Sequence, residues 1–285
     1  MSERVWVGGQ PAWRHRGGMD VGSFVTFDAL TLPGDAPHKV HVWDPGAVRG
    51  VLVAFDGDTA FWRGGVAHAT WDMAHVAART PGVAVVAIVP NERDREYTHV
   101  DWALGTRPFG DLATHAAWVA DAVLPFVQRA WGWPTSPESS AIVGSSHGGL
   151  AAFWAATRHP DRFGLAACLS PSLFSGLGHG DRLQDAPILA PVADLLRSGR
   201  GPRLWVDWGG RRDGGPHNHL VERLAAARGE ELVHLLSTWG FTASRVGPNS
   251  PLDDADVWWA SVAHHGHDEA AWHERLGWVI PRFFR

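Results

Sequence analysis

The 285-residue sequence predicts an α/β fold: a mostly parallel central sheet with helices on both faces and an antiparallel strand pair at its N-terminal side. Three observations carry that prediction. From Val51 onward, short continuous apolar runs alternate with longer helical stretches, the pattern of strands buried on both faces. Before them, residues 23–31 and 39–43 alternate apolar and polar side chains with period two, and Leu32-Pro33-Gly34-Asp35 between them carries turn residues. Finally, the apolar run Ala141-Ile142-Val143 meets Gly144-Ser145-Ser146-His147-Gly148-Gly149 and continues into the helix former Leu150-Ala151-Ala152-Phe153, which reads as strand, tight turn and helix.

Taken in order, the expected strands are 23–31, 39–43, 51–56, 83–90, 140–145, 165–169, 203–208 and 257–263. Helices are expected at 111–130, interrupted or bent near Pro125, then at 149–158, 191–196, 218–239 and 270–284. Pro191 would occupy the first helical position, where a missing N–H is tolerated. Residues 176–185 and 241–254 are rich in Gly, Pro and Asp and read as surface loops near the active edge of the sheet. With no repeat and no low-complexity linker, the chain reads as a single domain over residues 1–285, with 1–22 as an N-terminal extension.

Composition narrows the function classes. Apolar residues make up 45% and charged residues 19%, as in an ordinary globular enzyme, and the net charge of −5 offers no generic basic face for nucleic acid. No apolar run reaches the roughly 18 residues of a membrane span, and Met1-Ser2-Glu3-Arg4-Val5-Trp6 lacks a secretory core. Cys168 is the only cysteine, so an intrachain disulfide is excluded and a cytoplasmic setting is the expectation.

Gly144-Ser145-Ser146-His147-Gly148 fits Gly-x-Ser-x-Gly, a nucleophile elbow. The chain doubles back there so sharply that a Cβ at either flank would clash, which makes Ser146 rather than Ser145 the candidate nucleophile. A serine hydroxyl is a weak nucleophile near neutral pH and needs a base, itself oriented by a carboxylate. Downstream, the strand around Leu204-Trp205-Val206-Asp207 leads to Asp213, and the last strand runs into His264-His265-Gly266-His267-Asp268. Asp207 and the 253–256 region remain alternative acids. The histidine run also admits a metal reading, weakened because adjacent residues on a strand face opposite ways. His217-Asn218-His219 reads as solvated.

Beyond the elbow, Val53-Ala54-Phe55-Asp56-Gly57-Asp58 with Trp62 precedes Arg93-Asp94-Arg95-Glu96-Tyr97. Ser146-His147-Gly148-Gly149-Leu150 is followed by His159-Pro160-Asp161-Arg162-Phe163-Gly164, then Leu169-Ser170-Pro171-Ser172, then Gly266-His267-Asp268 with Trp272. In this order the segments resemble the esterase D/enterochelin-esterase group of α/β-hydrolases, which includes feruloyl esterases and mycolyltransferases. The likeness covers about Val51 to Arg285; His147 stands where methionine is common, and residues 241–254 are longer than usual. The resemblance implies the α/β-hydrolase fold, Ser146 as nucleophile, Asp213 as acid and His267 as base. It also implies an oxyanion hole from the backbone N–H groups of Asp58 and His147, the latter at a helix start where a developing anion is favoured.

Arg93 and Glu96, three residues apart, are expected to brace the loops around the serine, and Trp62, Trp102 and Trp208 to wall an acyl or aromatic pocket. The implied activity is a cofactor-free and metal-free serine esterase that acts through an acyl-enzyme on a small ester, aromatic or siderophore-type. An acyltransferase or peptidase of the same fold, or a binding protein that kept it, are the competing readings.

Overall fold

A computed structural model of the chain describes residues 2–15, 22–63, 69–101, 103–104, 106–178, 180–190, 192–199 and 201–285. Eleven strands form one sheet: β1 Ser2–Val7, β2 Gln10–His15, β3 Ser23–Leu30, β4 His38–Asp44, β5 Gly50–Ala54, β6 Val83–Ile88, β7 Ser140–Ser145, β8 Leu165–Leu169, β9 Arg203–Gly209, β10 Ala243–Arg245 and β11 Val257–Val262. Their spatial order is β1-β2-β3-β4-β6-β5-β7-β8-β9-β11-β10. Pairings from β1 to β6 along that order are antiparallel, and all those beyond are parallel.

Residues 1–22, expected only as an extension, contribute β1 and β2. Val7 pairs with Gln10 across Gly8-Gly9, whose φ values of 57° and 79° suit a two-residue hairpin turn that glycine alone enters without cost. Along β5 the side chains alternate between two apolar layers: Val51 and Val53 face one, Leu52 and Ala54 the other, and all four are buried. That double burial explains why the parallel strands read as unbroken apolar runs.

The helices that concern the site are α1 Gly57–Ala60, α2 Met73–Ala78, α3 Arg93–Glu96, α4 over 112–131, α5 His147–Arg158, α6 Val192–Arg197, α7 Glu222–Thr238 and α8 Glu269–Phe283. Within α4 a π segment, Val119–Val123, ends just before Pro125, where the missing N–H breaks the regular ladder as the sequence predicts. A second π turn, His217–Val221, leads into α7. Pro191, expected to open α6, lies outside the described residues. One layer packs α4, α5 and α7 through Leu112, Trp118, Leu150, Phe153, Leu232 and Leu236; the other packs α2 and α8 through Met73, Val76, Leu276 and Val279. Among the described residues no helix is long and apolar enough to cross a membrane.

Candidate active site

The turn from β7 into α5 is built by steric exclusion. A Cβ on Gly144 would stand 2.1 Å from the Gly148 carbonyl oxygen, so only glycine lets the strand and helix pass this closely. Ser146 sits between them at φ 55°, ψ −120°, a conformation that L residues rarely adopt. Neighbouring strands hold it there: its N–H donates to the Leu169 carbonyl (2.9 Å) and its carbonyl accepts from the Ser172 N–H (2.9 Å). The Ser146 hydroxyl lies 3.1 Å from that of Ser172. Ser145, by contrast, is a buried strand residue whose carbonyl accepts from Arg93.

Ser146 and His267 line one cavity of about 380 Å³, together with Asp58, Trp71, Glu269 and Trp272. His267, buried in the loop between β11 and α8, has its N–H held by Asn218 Oδ1 (2.8 Å) and its ring edge-on to Trp272. Its Nδ1 lies 2.5 Å from Glu222 Oε2, which leaves Nε2 without a hydrogen-bond partner among the described residues. Burial pulls the His267 pKa below its ordinary value, and Glu222 only partly opposes this. Burial alone would raise the Glu222 pKa, but the bond and charge of His267 and the Gly209 amide together hold it low. Ser170 Oγ donates to the same carboxylate (2.9 Å) and accepts from Arg275 (3.0 Å).

This arrangement corrects the expected acid. Asp213 is exposed, paired with Arg211 at 2.6 Å, and its carboxylate does not contact His267; only its carbonyl joins the region, accepting from Asn218 Nδ2 (2.6 Å). The carboxylate on the imidazole is that of Glu222, one π turn further along the chain. Asp207 is also elsewhere: fully buried, it accepts from Trp205 Nε1 (2.7 Å) and the Ser170 amide (3.1 Å) and lies 3.1 Å from Arg275 Nε. Glu222 did leave a trace in the sequence. It heads the stripe Glu222, Ala225, Ala226, Gly229, Leu232, Val233 and Leu236, a carboxylate on the apolar face of a helix.

Opposite the elbow, the chain leaves β5 through Phe55 and Asp56, the latter in the left-handed region at φ 56°, and turns into α1. Gly57 permits the turn, because a Cβ there would meet the backbone of Ala87 and Ile88 at 2.7–2.8 Å. The Asp56 N–H donates to Tyr97 Oη and the Thr59 N–H to the Asp56 carbonyl, while the Asp58 carboxylate draws on its own amide and that of Thr59. Asp58 lines the cavity, and its carboxylate is of the wrong charge for an oxyanion site. His147 opens α5; its ring lies 3.2 Å from Asp94, and burial, then the Arg93 charge, lower its pKa to about 4.

Arg93 and Glu96 do not pair with each other. Arg93 grips both Asp56 oxygens (2.6 and 2.8 Å) and reaches the Ser145 carbonyl, tying α1 to the elbow. Glu96 accepts from the backbone amides of Asn91 and Glu92, fixing the loop after β6. Their separation by one helical turn sends them to different partners around the same loops.

The tryptophans are also reassigned. Trp62 packs among His15, Phe24 and His41, on the antiparallel side of the sheet. Trp208 is buried, stacked on Trp259 at 5.6 Å and 12°. Trp102 lies outside the described residues. The indoles on the cavity are Trp71 and Trp272, with ring centroids 6.0 Å apart. Neither was predicted as pocket wall: Trp71 precedes a helix, and its position depends on how α2 packs against α8. Two groups bring three possible metal-ligating atoms within 4.8 Å of one another, Asp35–His38–His115 and His264–His265–Glu274, and neither lines this cavity.

Residues 32–279 match the family model described as "Putative esterase". The chain belongs to this esterase family. A Bacillus subtilis protein named as uncharacterized protein YbbA is 29% identical over 100 residues, 33% of this chain and 39% of that protein. The enterobactin esterase FES of Shigella flexneri superposes at a TM-score of 0.60 with 17% identity, covering 94% of this chain and 60% of FES. The siderophore hydrolase EstA of Aspergillus nidulans gives 0.63 and 16%, covering 94% and 99%. The chain therefore covers 39% of YbbA and 60% of FES, both less than two thirds, but nearly all of EstA. These likenesses agree with the group that the motifs resemble, and with its α/β-hydrolase fold.

Proposed function

We propose that this family member is a serine-dependent hydrolase of small carboxylic esters, acting through an acyl-enzyme. One observation carries the reading: Ser146, held at φ 55° in the elbow, shares a cavity with His267, whose other ring nitrogen is fixed by the buried carboxylate of Glu222. A hydroxyl, an imidazole with one free nitrogen, and a carboxylate that sets its tautomer are the parts that acyl transfer needs.

In the first half-reaction His267 Nε2 takes the Ser146 proton as Oγ attacks the ester carbonyl carbon. The resulting oxyanion is met by the His147 amide at the start of α5 and by the Asp58 amide at the start of α1. The imidazolium, stabilised by Glu222, returns the proton to the departing alkoxide and leaves the acyl group on Ser146. Water then enters, gives its proton to His267, attacks the acyl carbon, and the collapse returns the proton to Ser146 Oγ. Trp71 and Trp272 supply apolar lining beside which an aromatic or bulky part of the ester packs. The likeness to FES, an enterobactin esterase, and to EstA, a siderophore hydrolase, supports a small-molecule ester as substrate.

The test is labelling with a fluorophosphonate followed by intact-mass and peptide analysis. One adduct on Ser146 in the parent protein and none in Ser146→Ala are expected. An adduct on Ser145, or no adduct on the folded parent protein, overturns the reading.

A further inference from the structure

The charges around the cavity do not balance. Three carboxylates line it, those of Asp56, Asp58 and Glu269, against a single guanidinium, Arg93. Arg93 is already consumed, since Asp56 engages it with both oxygens. Asp58 and Glu269 come from the starts of two different helices, and neither has an ion-pair partner among the described residues. Partial desolvation and the charge of Asp56 raise the pKa of Asp58; desolvation, then the charges of Asp268 and Asp56, raises that of Glu269. Both carboxylates thus carry a cost that a cation in the cavity would relieve. Trp71 and Trp272, both almost fully buried, border the same cavity with ring centroids 6.0 Å apart, and an indole attracts a desolvated cation as well as an apolar group. Among the described residues that line the cavity, an anionic ester would meet two carboxylates without an ion-pair partner and, besides the imidazoles of His217 and His267, only a guanidinium that Asp56 already engages.

We propose that the ester taken by this cleft carries a positive charge, an ammonium or quaternary ammonium group, seated between the Trp71–Trp272 wall and the carboxylates of Asp58 and Glu269. The inference rests on the hydrolase reading above and deepens it by fixing the charge of the substrate. His267 gives the cavity its chemical direction, because its buried ring turns an unpartnered Nε2 to the same space. The acidic groups then select what approaches that nitrogen and Ser146. Since the carboxylates lie at the mouth rather than in the core, their effect is screened by salt over a Debye length of about 8 Å at physiological ionic strength.

The test uses ester pairs matched in shape, choline butyrate against 3,3-dimethylbutyl butyrate and phenyl trimethylammonioacetate against phenyl 3,3-dimethylbutanoate, with every rate divided by that ester's hydroxide-catalysed rate because the ammonium also activates the carbonyl. These place the charge on the alcohol and acyl sides respectively. The readout is the ratio of kcat/KM, cationic over neutral, within each pair. A ratio of about tenfold or more is expected in at least one pair, falling several-fold in Asp58→Asn and in Glu269→Gln, further in the double variant, and with added salt. A second measurement is the rate at which a trimethylammonioethyl fluorophosphonate labels Ser146, relative to its dimethylbutyl isostere. This keeps the proposal testable even if neither alcohol or acyl group is turned over. Labelling of Ser146 at equal rates by both reagents, with no cationic preference in either ester pair, overturns the charge assignment and leaves the hydrolase reading standing. No labelling of the folded protein by either reagent overturns the hydrolase reading itself, and this inference with it.

Discussion

Two clusters in this molecule are made of the same groups. In one, His267 leans on Glu222, with Nδ1 and Oε2 at 2.5 Å. In the other, Asp35 Oδ2 lies 3.2 Å from His38 Nε2 and 3.0 Å from His115 Nδ1, while Glu96 stands 4.0 Å from His38 and 3.8 Å from His115. All three histidines are buried. The difference is what each ring faces. His38 and His115 sit under the Trp118 indole at 4.6 and 5.7 Å, and His38 turns its second nitrogen to the Val89 carbonyl. His267 instead borders a cavity that contains a strained serine. A buried histidine–carboxylate pair is thus not chemistry by itself; access and a neighbour to deprotonate make it so.

Removing groups from each cluster breaks or sharpens that contrast. The largest effect is expected at the serine and the base: Ser146→Ala and His267→Ala should each lower kcat/KM by about 10⁴-fold or more, with far-UV circular dichroism unchanged. Next, Glu222→Gln should cost about 10³- to 10⁴-fold, because an amide no longer sets the tautomer or stabilises the imidazolium. Asp213→Ala, by comparison, should stay within about twofold, as expected for an exposed side chain far from the chemistry. If Asp213→Ala proves dead and Glu222→Gln active, the acid has been misassigned.

The pH profile separates the clusters further. The proposed mechanism requires a neutral His267 as base, and burial holds its pKa below 6.5, so kcat/KM should fall as pH drops through a midpoint below 6.5. Because Glu222 raises that pKa, the residual activity of Glu222→Gln should lose its acid limb at still lower pH. His115→Ala should leave the midpoint where it is. A midpoint above 6.5 in the parent protein would mean that Glu222, not burial, dominates the ring.

For the second cluster the expected currency is stability. His115→Ala removes a donor to Asp35 and opens a hole beneath Trp118, at a cost of about 1–3 kcal/mol, or a Tm lower by about 3–10 °C, with kcat/KM within a few-fold of the parent. Burial would raise the Asp35 pKa, but the His115 hydrogen bond, the Ala36 amide and the two imidazoles bring it down to about 2. That depressed value stabilises the fold above about pH 4, and the contribution is lost as pH falls towards 2. In His115→Ala the acid-induced drop in Tm over this window should shrink; an unchanged drop would show that His115 is not what holds Asp35.

How much of the site was legible varies residue by residue. Gly144, Ser146 and Gly148 announced themselves because the elbow is a local steric problem, solved within five adjacent residues. His267 was legible because the loop that carries it follows the last parallel strand directly. The acid was not. Asp213 and Glu222 both fall between serine and histidine in the chain, and which of them reaches the imidazole depends on the π turn at His217–Val221 and on Asn218, which ties the Asp213 carbonyl to the His267 amide. The pocket wall was missed for a similar reason. Trp62 and Trp208 lie close to the expected edge in sequence, but their rings turn to other faces, while Trp71 and Trp272 arrive from segments about 200 residues apart, a separation visible in the His273–Trp71 hydrogen bond.

By itself the sequence determined what depends on short range and on periodicity. The alternation of β3 and β4, the double-sided apolar runs of β5 to β9, the break in α4 before Pro125 and the elbow all follow from backbone sterics and from which faces must leave water. Only the tertiary structure decided which charges meet. Arg93 chose Asp56 over Glu96, Glu222 rather than Asp213 reached His267, and Asp58 and Glu269 were left on one cavity with no ion-pair partner among the described residues. Electrostatic partnership depends on distance and desolvation in three dimensions, and neither is encoded in the spacing of residues along the chain.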